Sequence, residues 1–495
     1  MFYPPVGMAA YEGLALQGFG TSSRDQIQSL HKALSAGYAT DPSQMTGGNA
    51  LRVESLEESL KVTTYTDRHL KFWPKLFKSP AYSTVEEYNQ LLAYGDDGFG
   101  PFTREGELPL SNDSNYQRQT QLIKFMGTTR EITHPATLVH PAHGDLIALE
   151  NQNGILWLLR QVEKFLFLGN SNLAFSGEAE QWDGLETLIP ADMRIDLEGS
   201  PLQEADFEES TNLLAENYAY ATDCFLGFRP MSDLNKTLYP RHRVQLPAPA
   251  DGRIGMAVNS MATQAGLLEF NPDVFITRPA TAPSSVRGPA QLVPTAPASM
   301  TAALVASSSG EFDKSQGGDS ARYGYKCAFA NRFGESVPSP AIRTDIMTGA
   351  NADDGYLFNL TFINGGALTV PPDYINVYRT VALNPAVSLL QVQALPNEAF
   401  GLVMQIPVAT QAAGATTPTV GVISEVNRQM PFTETAYVGE LSPQVITFRQ
   451  LAPMMKLDLA VLAPALRWMI LMYGALLLFA PRKWMRITNI GRLGT

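Results

Sequence analysis

Three histidines and an aspartate lie close together in the first third of the chain: His134, His140, His143 and Asp145. Imidazole nitrogens and carboxylate oxygens are common ligands of divalent metals. However, His134 and His140 each precede a proline, which favours extended backbone, and the spacing does not place two histidines on one face of a helix. We therefore treat a metal centre as a minor alternative, and we expect no metal and no cofactor.

Other patterns that carry chemistry are missing from the sequence. It contains no GxxxxGK[ST] phosphate loop, no GxGxxG after a strand, no GxSxG and no HExxH. Glu105 and Glu107 lie in a turn rich in Gly and Pro, where no apolar walls would raise the pKa of a general acid. We predict no catalytic residues and a protein that is not an enzyme.

The composition excludes several further classes of protein. Of the 495 residues, 17% are charged and 45% are hydrophobic, which favours globular domains over disorder. The formal net charge of -12 argues against a protein that coats nucleic acid by neutralising phosphates. Cys224 and Cys327 form no CxxC pair, so we expect neither a disulfide framework nor a cysteine zinc site. These features and an N-terminus without a secretory signal pattern favour a reducing cytoplasm.

One long apolar stretch, residues 457–480, has much of the length of a membrane span. It contains Asp458 and Arg467 and is interrupted by Pro464, and its uncharged part is shorter than the roughly 20 residues that a bilayer core requires. We interpret this stretch as buried strands and expect no membrane partner.

Two basic segments could contact nucleic acid. Residues 65–78 interleave Lys and Arg with aromatic residues, and the C-terminal tail carries Arg482, Lys483, Arg486 and Arg492. We interpret the first as a packed surface segment and the second as solvated charges at the end of a strand.

A long helix is predicted in the first half of the chain. Apolar residues recur there at helical spacing, with an aspartate placed to cap the segment and a glycine placed to end it: Ile155, Leu158, Leu159, Val162, Phe165 and Leu166. The pattern predicts a helix over residues 145–170.

Changes in composition divide the rest of the chain into segments. We predict an N-terminal arm (1–60), a segment (61–144) that contains an extended β-loop (95–132), a domain of helices and strands (171–278), two linkers that bracket an insert (279–421), and return strands (422–495). The insert alternates aromatic and small or polar residues around Tyr325 and again around Phe358. Short strands at this spacing predict a β-sandwich.

The order of these segments resembles the major capsid protein of tailed bacteriophages, the Hong Kong 97 fold. The closest local match is Arg104-Glu105-Gly106-Glu107-Leu108-Pro109-Leu110-Ser111 followed by Tyr116, which is similar to the extended loop before the spine helix of that family. The stretch 204–234 is similar to the helix, strand and helix of its axial domain. Within the insert, residues 325–336 resemble a fibronectin type III or immunoglobulin-like strand and turn.

The resemblance implies an α+β fold with an N-arm, an extended β-loop, a spine helix (145–170) and axial and peripheral domains, plus an inserted all-β sandwich. It implies a virion protein, assembled in the host cytoplasm, that forms hexamers and pentamers of an icosahedral head around the DNA genome. Implied partners are a scaffolding protein, a portal, decoration proteins and packaged DNA without sequence-specific contact. Contacts between subunits would use loop residues: Phe99, Arg104, Glu105, Glu107, Tyr116 and Arg118.

Two alternatives from other functional classes stay open at this point. The chain could be an adhesin-like binding protein that uses the β-sandwich, or a metal-dependent enzyme that uses His134, His140 and His143.

Overall fold

The computed structural model describes most of the chain after residue 63. The described residues are 64–95, 102–108, 111–138, 145–171, 181–241, 258–276, 282–284, 292–307, 310–312, 321–347, 355–364, 370–408, 422–426, 429–460 and 464–493. The chain divides into two compact units, residues 1–63 with 139–146 and residues 64–138 with 147–495. Apart from Asp145 and Leu146, every described residue belongs to the second unit. The predicted N-terminal arm lies outside the described residues.

Seven α-helices occur in the described chain. They are α1 (Phe72–Lys75), α2 (His134–Leu138), α3 (Leu146–Leu168), α4 (Leu185–Leu188), α5 (Glu204–Glu216), α6 (Phe228–Arg241) and α7 (Leu389–Gln393). The predicted long helix is α3.

The described strands number twenty. They are β1 (Lys78–Pro80), β2 (Val85–Ala93), β3 (Asn115–Leu122), β4 (Lys124–Thr133), β5 (Arg194–Asp196), β6 (Asp223–Leu226), β7 (Ser260–Thr263), β8 (Gly266–Pro272), β9 (Pro297–Ala306), β10 (Gly324–Asn331), β11 (Gly334–Glu335), β12 (Ile342–Arg343), β13 (Tyr356–Asn364), β14 (Tyr374–Arg379), β15 (Gly401–Pro407), β16 (Ile423–Glu425), β17 (Glu434–Gly439), β18 (Ile446–Asp458), β19 (Ala465–Leu478) and β20 (Trp484–Ile490).

A six-stranded mixed sheet runs in the order β5-β20-β17-β6-β8-β7. Its central strands are buried along their whole length, as expected for short apolar runs covered on both faces. An aromatic cluster joins this sheet to α1 and α3: Phe72 lies 5.0 Å from Phe167 and 4.8 Å from Phe225, measured between ring centroids. The basic-aromatic segment 65–78 is therefore a packed segment, as predicted, and its Phe72 reaches the core.

A second sheet has the order β1-β18-β19-β4. Its β18 and β19 pair as a long antiparallel hairpin, and β19 then pairs with β4 over ten residues. This arrangement places β19 inside the sheet and buries most of its side chains. The interpretation of the apolar stretch as buried strands is confirmed for β19, whereas residues 457–460 are exposed or half-buried.

The side of α3 that faces the core contains half of the predicted apolar stripe. Leu158, Val162 and Leu166 of that stripe are buried in one row with Gly154, whereas Ile155, Leu159 and Phe165 are half-buried. At Gly154 the helix approaches β19 so closely that a Cβ atom would lie 2.5 Å from Cδ1 of Ile470. The periodicity pattern did not reveal Gly154, because a glycine contributes no hydrophobic side chain to it.

Two further sheets, formed by strands β9 to β16, pack on a common hydrophobic core, and we refer to this two-sheet region as the sandwich. One has the order β11-β10-β14-β15, with β12 also paired to β10, and the other is β16-β13-β9. Tyr325 and Phe329 from the first sheet and Phe358 and Leu360 from the second belong to the same buried cluster. The outer face of β10 is covered as well, since Ala328 packs into a smaller core that includes residues beside α7.

Several predicted boundaries need correction. The β-loop predicted over 95–132 divides into a hairpin of β2 and β3, which starts at Val85, and β4, which belongs to the second sheet. The sandwich extends past residue 421, because β16 lies after the second linker and pairs with β13.

Candidate assembly surface

The β2–β3 hairpin contains no buried residue in either strand. The two strands form a two-stranded sheet, from the Val85 and Leu122 pair at the base to the Ala93 and Asn115 pair near the tip. Most side chains on both of its faces are exposed or half-buried. An isolated two-stranded hairpin is at best marginally stable in water, so this one requires support from elsewhere.

Support at the base of the hairpin comes from β19 and the residue after it. The ring of Tyr88 packs edge-on against Phe479 at 5.0 Å, and the Gln90 side-chain amide donates to the Phe479 carbonyl at 2.6 Å. Ile123, just after β3, is buried with Ala475 and Leu477. The base is therefore fixed to the four-stranded sheet.

The tip of the hairpin carries large apolar side chains that are almost fully exposed. Tyr94 is 87% exposed, Phe102 94%, Leu108 92% and Tyr116 69%. Between Phe102 and Leu108 the backbone turns through Gly106, whose φ of 87° strongly favours glycine. Clustered exposed apolar residues commonly mark a surface that another protein covers.

The sequence-predicted loop residues lie on this hairpin, apart from Phe99, which is outside the described residues. Arg104, Glu105 and Glu107 are exposed at the tip, and Arg118 on β3 forms an exposed ion pair with Glu87 on β2. The predicted helix residues lie elsewhere, on α3, where Val162 is buried.

Sequence reasoning missed three buried charged groups. Glu163 on α3 is fully buried and binds backbone N–H groups at the start of α1. Arg379 on β14 pairs with Glu425 on β16 at 2.5 Å inside the sandwich. Burial opposes the charge on Arg379, but Glu425 and the nearby tyrosines outweigh burial and raise its pKa.

The third buried group joins the sandwich region to the six-stranded sheet. Glu311 pairs with Arg194 of β5 at 2.7 Å and also contacts the guanidinium of Arg486 on β20. Arg486 was expected to be a solvated tail charge, and that expectation is wrong because its partner lies 175 residues away in sequence. In contrast, the Arg482 ion pair with Asp192 is exposed at both ends.

The candidate metal residues do not converge within the described chain. His134 is exposed at the start of α2, and His140 and His143 lie outside the described residues. No group of three or more His, Cys, Asp or Glu side chains among the described residues is placed to hold a metal ion. Burial raises the pKa of the Cys327 thiol to about 12 and raises the pKa of Cys224 as well, so neither is a reactive thiolate at neutral pH.

No helix in the described part of the chain combines the length and the apolar character that crossing a membrane requires.

Comparisons with known proteins give a consistent result. No family model matches the chain. It is 28% identical over 475 residues to the major capsid protein of Staphylococcus phage K, covering 94% of this chain and 96% of that protein. It is 27% identical over 474 residues to the major capsid protein of Staphylococcus phage S25-3, with the same coverage.

Among solved structures, the chain is similar to that of Gordonia phage Cozz, with a TM-score of 0.43 and 8% identity over 91% of this chain and 95% of that one. The curated relatives set aside the adhesin-like and metal-enzyme alternatives. Their agreement over almost the full length of both chains shows that this chain is a phage major capsid protein, a structural component of the virion.

Proposed function

We propose that the chain builds an icosahedral head of the Hong Kong 97 type from hexamers and pentamers, and that the β2–β3 hairpin clasps a neighbouring subunit. The observation that carries the proposal is the exposure of Tyr94, Phe102 and Leu108, each at least 87% accessible, on a hairpin whose base is fixed. Covering such side chains stabilises a contact by roughly 1.5–3 kcal/mol each. A protein that forms a homo-oligomeric shell presents the same partner surface on every neighbouring copy.

The order of elements supports the Hong Kong 97 architecture. The hairpin is followed by the long helix α3, then by the α5, β6 and α6 succession, and finally by β17–β20, which return to both central sheets. In this proposal α3 is the spine helix, with Ile155, Leu159, Val162 and Phe165 on it.

The two-sheet region from β9 to β16 is proposed as an inserted immunoglobulin-like domain on the outer surface of the head. Its own buried core supports this assignment. Further proposed partners are a scaffolding protein, a portal, decoration proteins and packaged DNA held without sequence-specific contact.

Assembly with the hairpin altered tests the proposal. The double variant Phe102→Ser with Leu108→Ser, co-expressed with the scaffolding protein of the same phage, should give soluble folded subunits but few or no closed shells in electron micrographs. Leu390→Ser is the matched control, because Leu390 is 77% exposed on α7 of the sandwich.

The wild-type chain and the control should both form shells. Shells of normal yield and heat resistance from the double variant would contradict the clasp. Only small oligomers from the wild type, with scaffold present, would contradict the proposed assembly.

A further inference from the structure

A buried carboxylate on α3 holds the start of α1. Oε1 of Glu163 accepts the backbone N–H of Lys71 at 2.7 Å and of Phe72 at 2.6 Å, and Oε2 accepts that of Trp73 at 2.8 Å. The side chain is fully buried. Three backbone N–H groups at the beginning of a helical turn therefore donate to this one carboxylate.

A second buried carboxyl group lies within hydrogen-bonding reach of the first. Asp273 follows directly after β8 and is 0% exposed. Its Oδ1 accepts the N–H of Phe275 at 2.7 Å, and its own N–H donates to the Leu226 carbonyl at 2.9 Å. Its Oδ2 is buried and has no hydrogen-bond partner among the described residues unless a proton lies between it and Glu163.

We propose that Asp273 carries a proton on Oδ2 and donates it to Glu163, and that this shared proton is a pH-sensitive latch between α3, the start of α1 and the end of β8. Among the described residues, a proton on Oδ2 is what gives this oxygen a hydrogen-bond partner, because two ionised carboxylates can only accept hydrogen bonds. Two unshared negative charges in one buried site would repel each other.

The charges around the pair do not neutralise it fully. Lys71, beside α1, faces Asp273, and Lys78, at the start of β1, faces Glu163. Across the sheet, the carboxylate of Asp223 is already held by Lys75 at 2.9 Å.

Burial is the largest cause that raises the pKa of Asp273, followed by the neighbouring Glu163, and together they bring it to about 8. The Phe275 N–H and the Lys71 ammonium act in the opposite direction but are weaker.

Because the pKa of Asp273 is raised on folding, the stability of the folded protein should fall as the pH rises. In the unfolded chain the Asp273 carboxyl group has its ordinary pKa of 3.8, whereas in the folded protein its pKa is raised to about 8. The latch therefore contributes its full stability below about pH 4, loses it progressively as the pH rises, and contributes no further change above about pH 8. Above that pH, α3 and the end of β8 are held together less firmly.

The test compares the full-length wild type with Asp273→Asn. An asparagine amide can donate to Glu163 at every pH, while its carbonyl oxygen retains the Phe275 N–H. Urea unfolding between pH 5 and pH 9 should show the folding equilibrium constant of the wild type falling relative to that of the variant by up to about tenfold per pH unit, and then levelling off near pH 8. Asp113→Asn, at an exposed position on the hairpin, is the control and should give no such trend.

The proposal would be overturned if the ratio of the two folding equilibrium constants, wild type to Asp273→Asn, did not change with pH. If the variant does not fold, the infrared spectrum of the wild type provides the second measurement. It should contain a protonated carboxyl absorption at pH 6 to 7 that disappears by pH 9, and its absence at pH 6 to 7 would equally overturn the latch.

Discussion

The β2–β3 hairpin and the sandwich are both antiparallel β-structures, but they differ in how far they bury their apolar side chains. The sandwich buries Tyr325, Phe329 and Phe358 between its own two sheets, and covers the outer face of β10 too. The hairpin has one layer and leaves Phe102 and Leu108 in solvent. The sandwich therefore covers its own apolar side chains, whereas the exposed side chains of the hairpin would be covered only by the proposed contact with a neighbouring subunit.

The largest effect is expected in the core of the sandwich. Phe358→Ala removes a fully buried ring that packs 4.8 Å from Phe312, so we expect a loss of about 4 kcal/mol in the free energy of unfolding. Phe102→Ala on the hairpin should change that free energy by less than about 0.5 kcal/mol. Urea unfolding of both variants measures the difference. Equal losses would show that the hairpin tip is packed within its own subunit.

The next effect concerns the junction between the sandwich region and the six-stranded sheet. Glu311→Gln leaves Arg194 and Arg486 without their shared carboxylate, and removing one partner of a buried ion pair costs about 3 kcal/mol or more. Glu398→Gln, at an exposed position, should cost almost nothing. If the two variants unfold at the same urea concentration, the junction does not contribute to the stability of the subunit.

A smaller and more local effect is expected at the base of the hairpin. Tyr88→Ala removes the ring contact with Phe479, which is worth about 1 kcal/mol beyond the buried area. Amide hydrogen exchange should accelerate by about tenfold in β2 and β3, with little change in the sandwich strands. Faster exchange throughout the chain would mean that the hairpin does not open independently of the rest of the subunit.

The smallest effect is expected for the exposed ion pair across the hairpin. Arg118→Ala breaks the contact with Glu87 and should change the free energy of unfolding by less than about 0.5 kcal/mol, because exposed ion pairs are screened by water and salt. Thermal unfolding at low and high salt measures it. A large loss of stability that salt abolishes would indicate that the pair holds the hairpin together.

The elements that sequence reasoning predicted are those with strong local patterns. The long helix was expected over 145–170 and is found over Leu146–Leu168, and the helix predicted from Glu204 and the strand from Asp223 also begin where expected. Each depends on helical periodicity or on a short apolar run, and both are local properties of the chain.

The features that were missed depend on distant partners. Arg486 is a basic tail residue by sequence, yet it is buried because Glu311 reaches it from a distant segment. Glu163 interrupts an apolar stripe, and only the position of α1 shows why a carboxylate belongs there. The three-residue strand β16 is too short for its pattern to be separated from the linker before it.

The pairing of β13 has a mechanical consequence. The first and last strands of the sandwich, β9 and β16, both pair antiparallel with β13 and therefore run parallel to each other. A pulling force applied through Pro297 and Glu425 would act along the strands, so it would stretch many hydrogen bonds at once in shear instead of opening them one by one. Strand β16 has only three residue pairs with β13, so it should separate first. The side-chain hydrogen bonds of Glu425 with Arg379 and Tyr325 hold its C-terminal end in place. The sandwich is thus arranged to resist tension along the path by which the chain enters and leaves it.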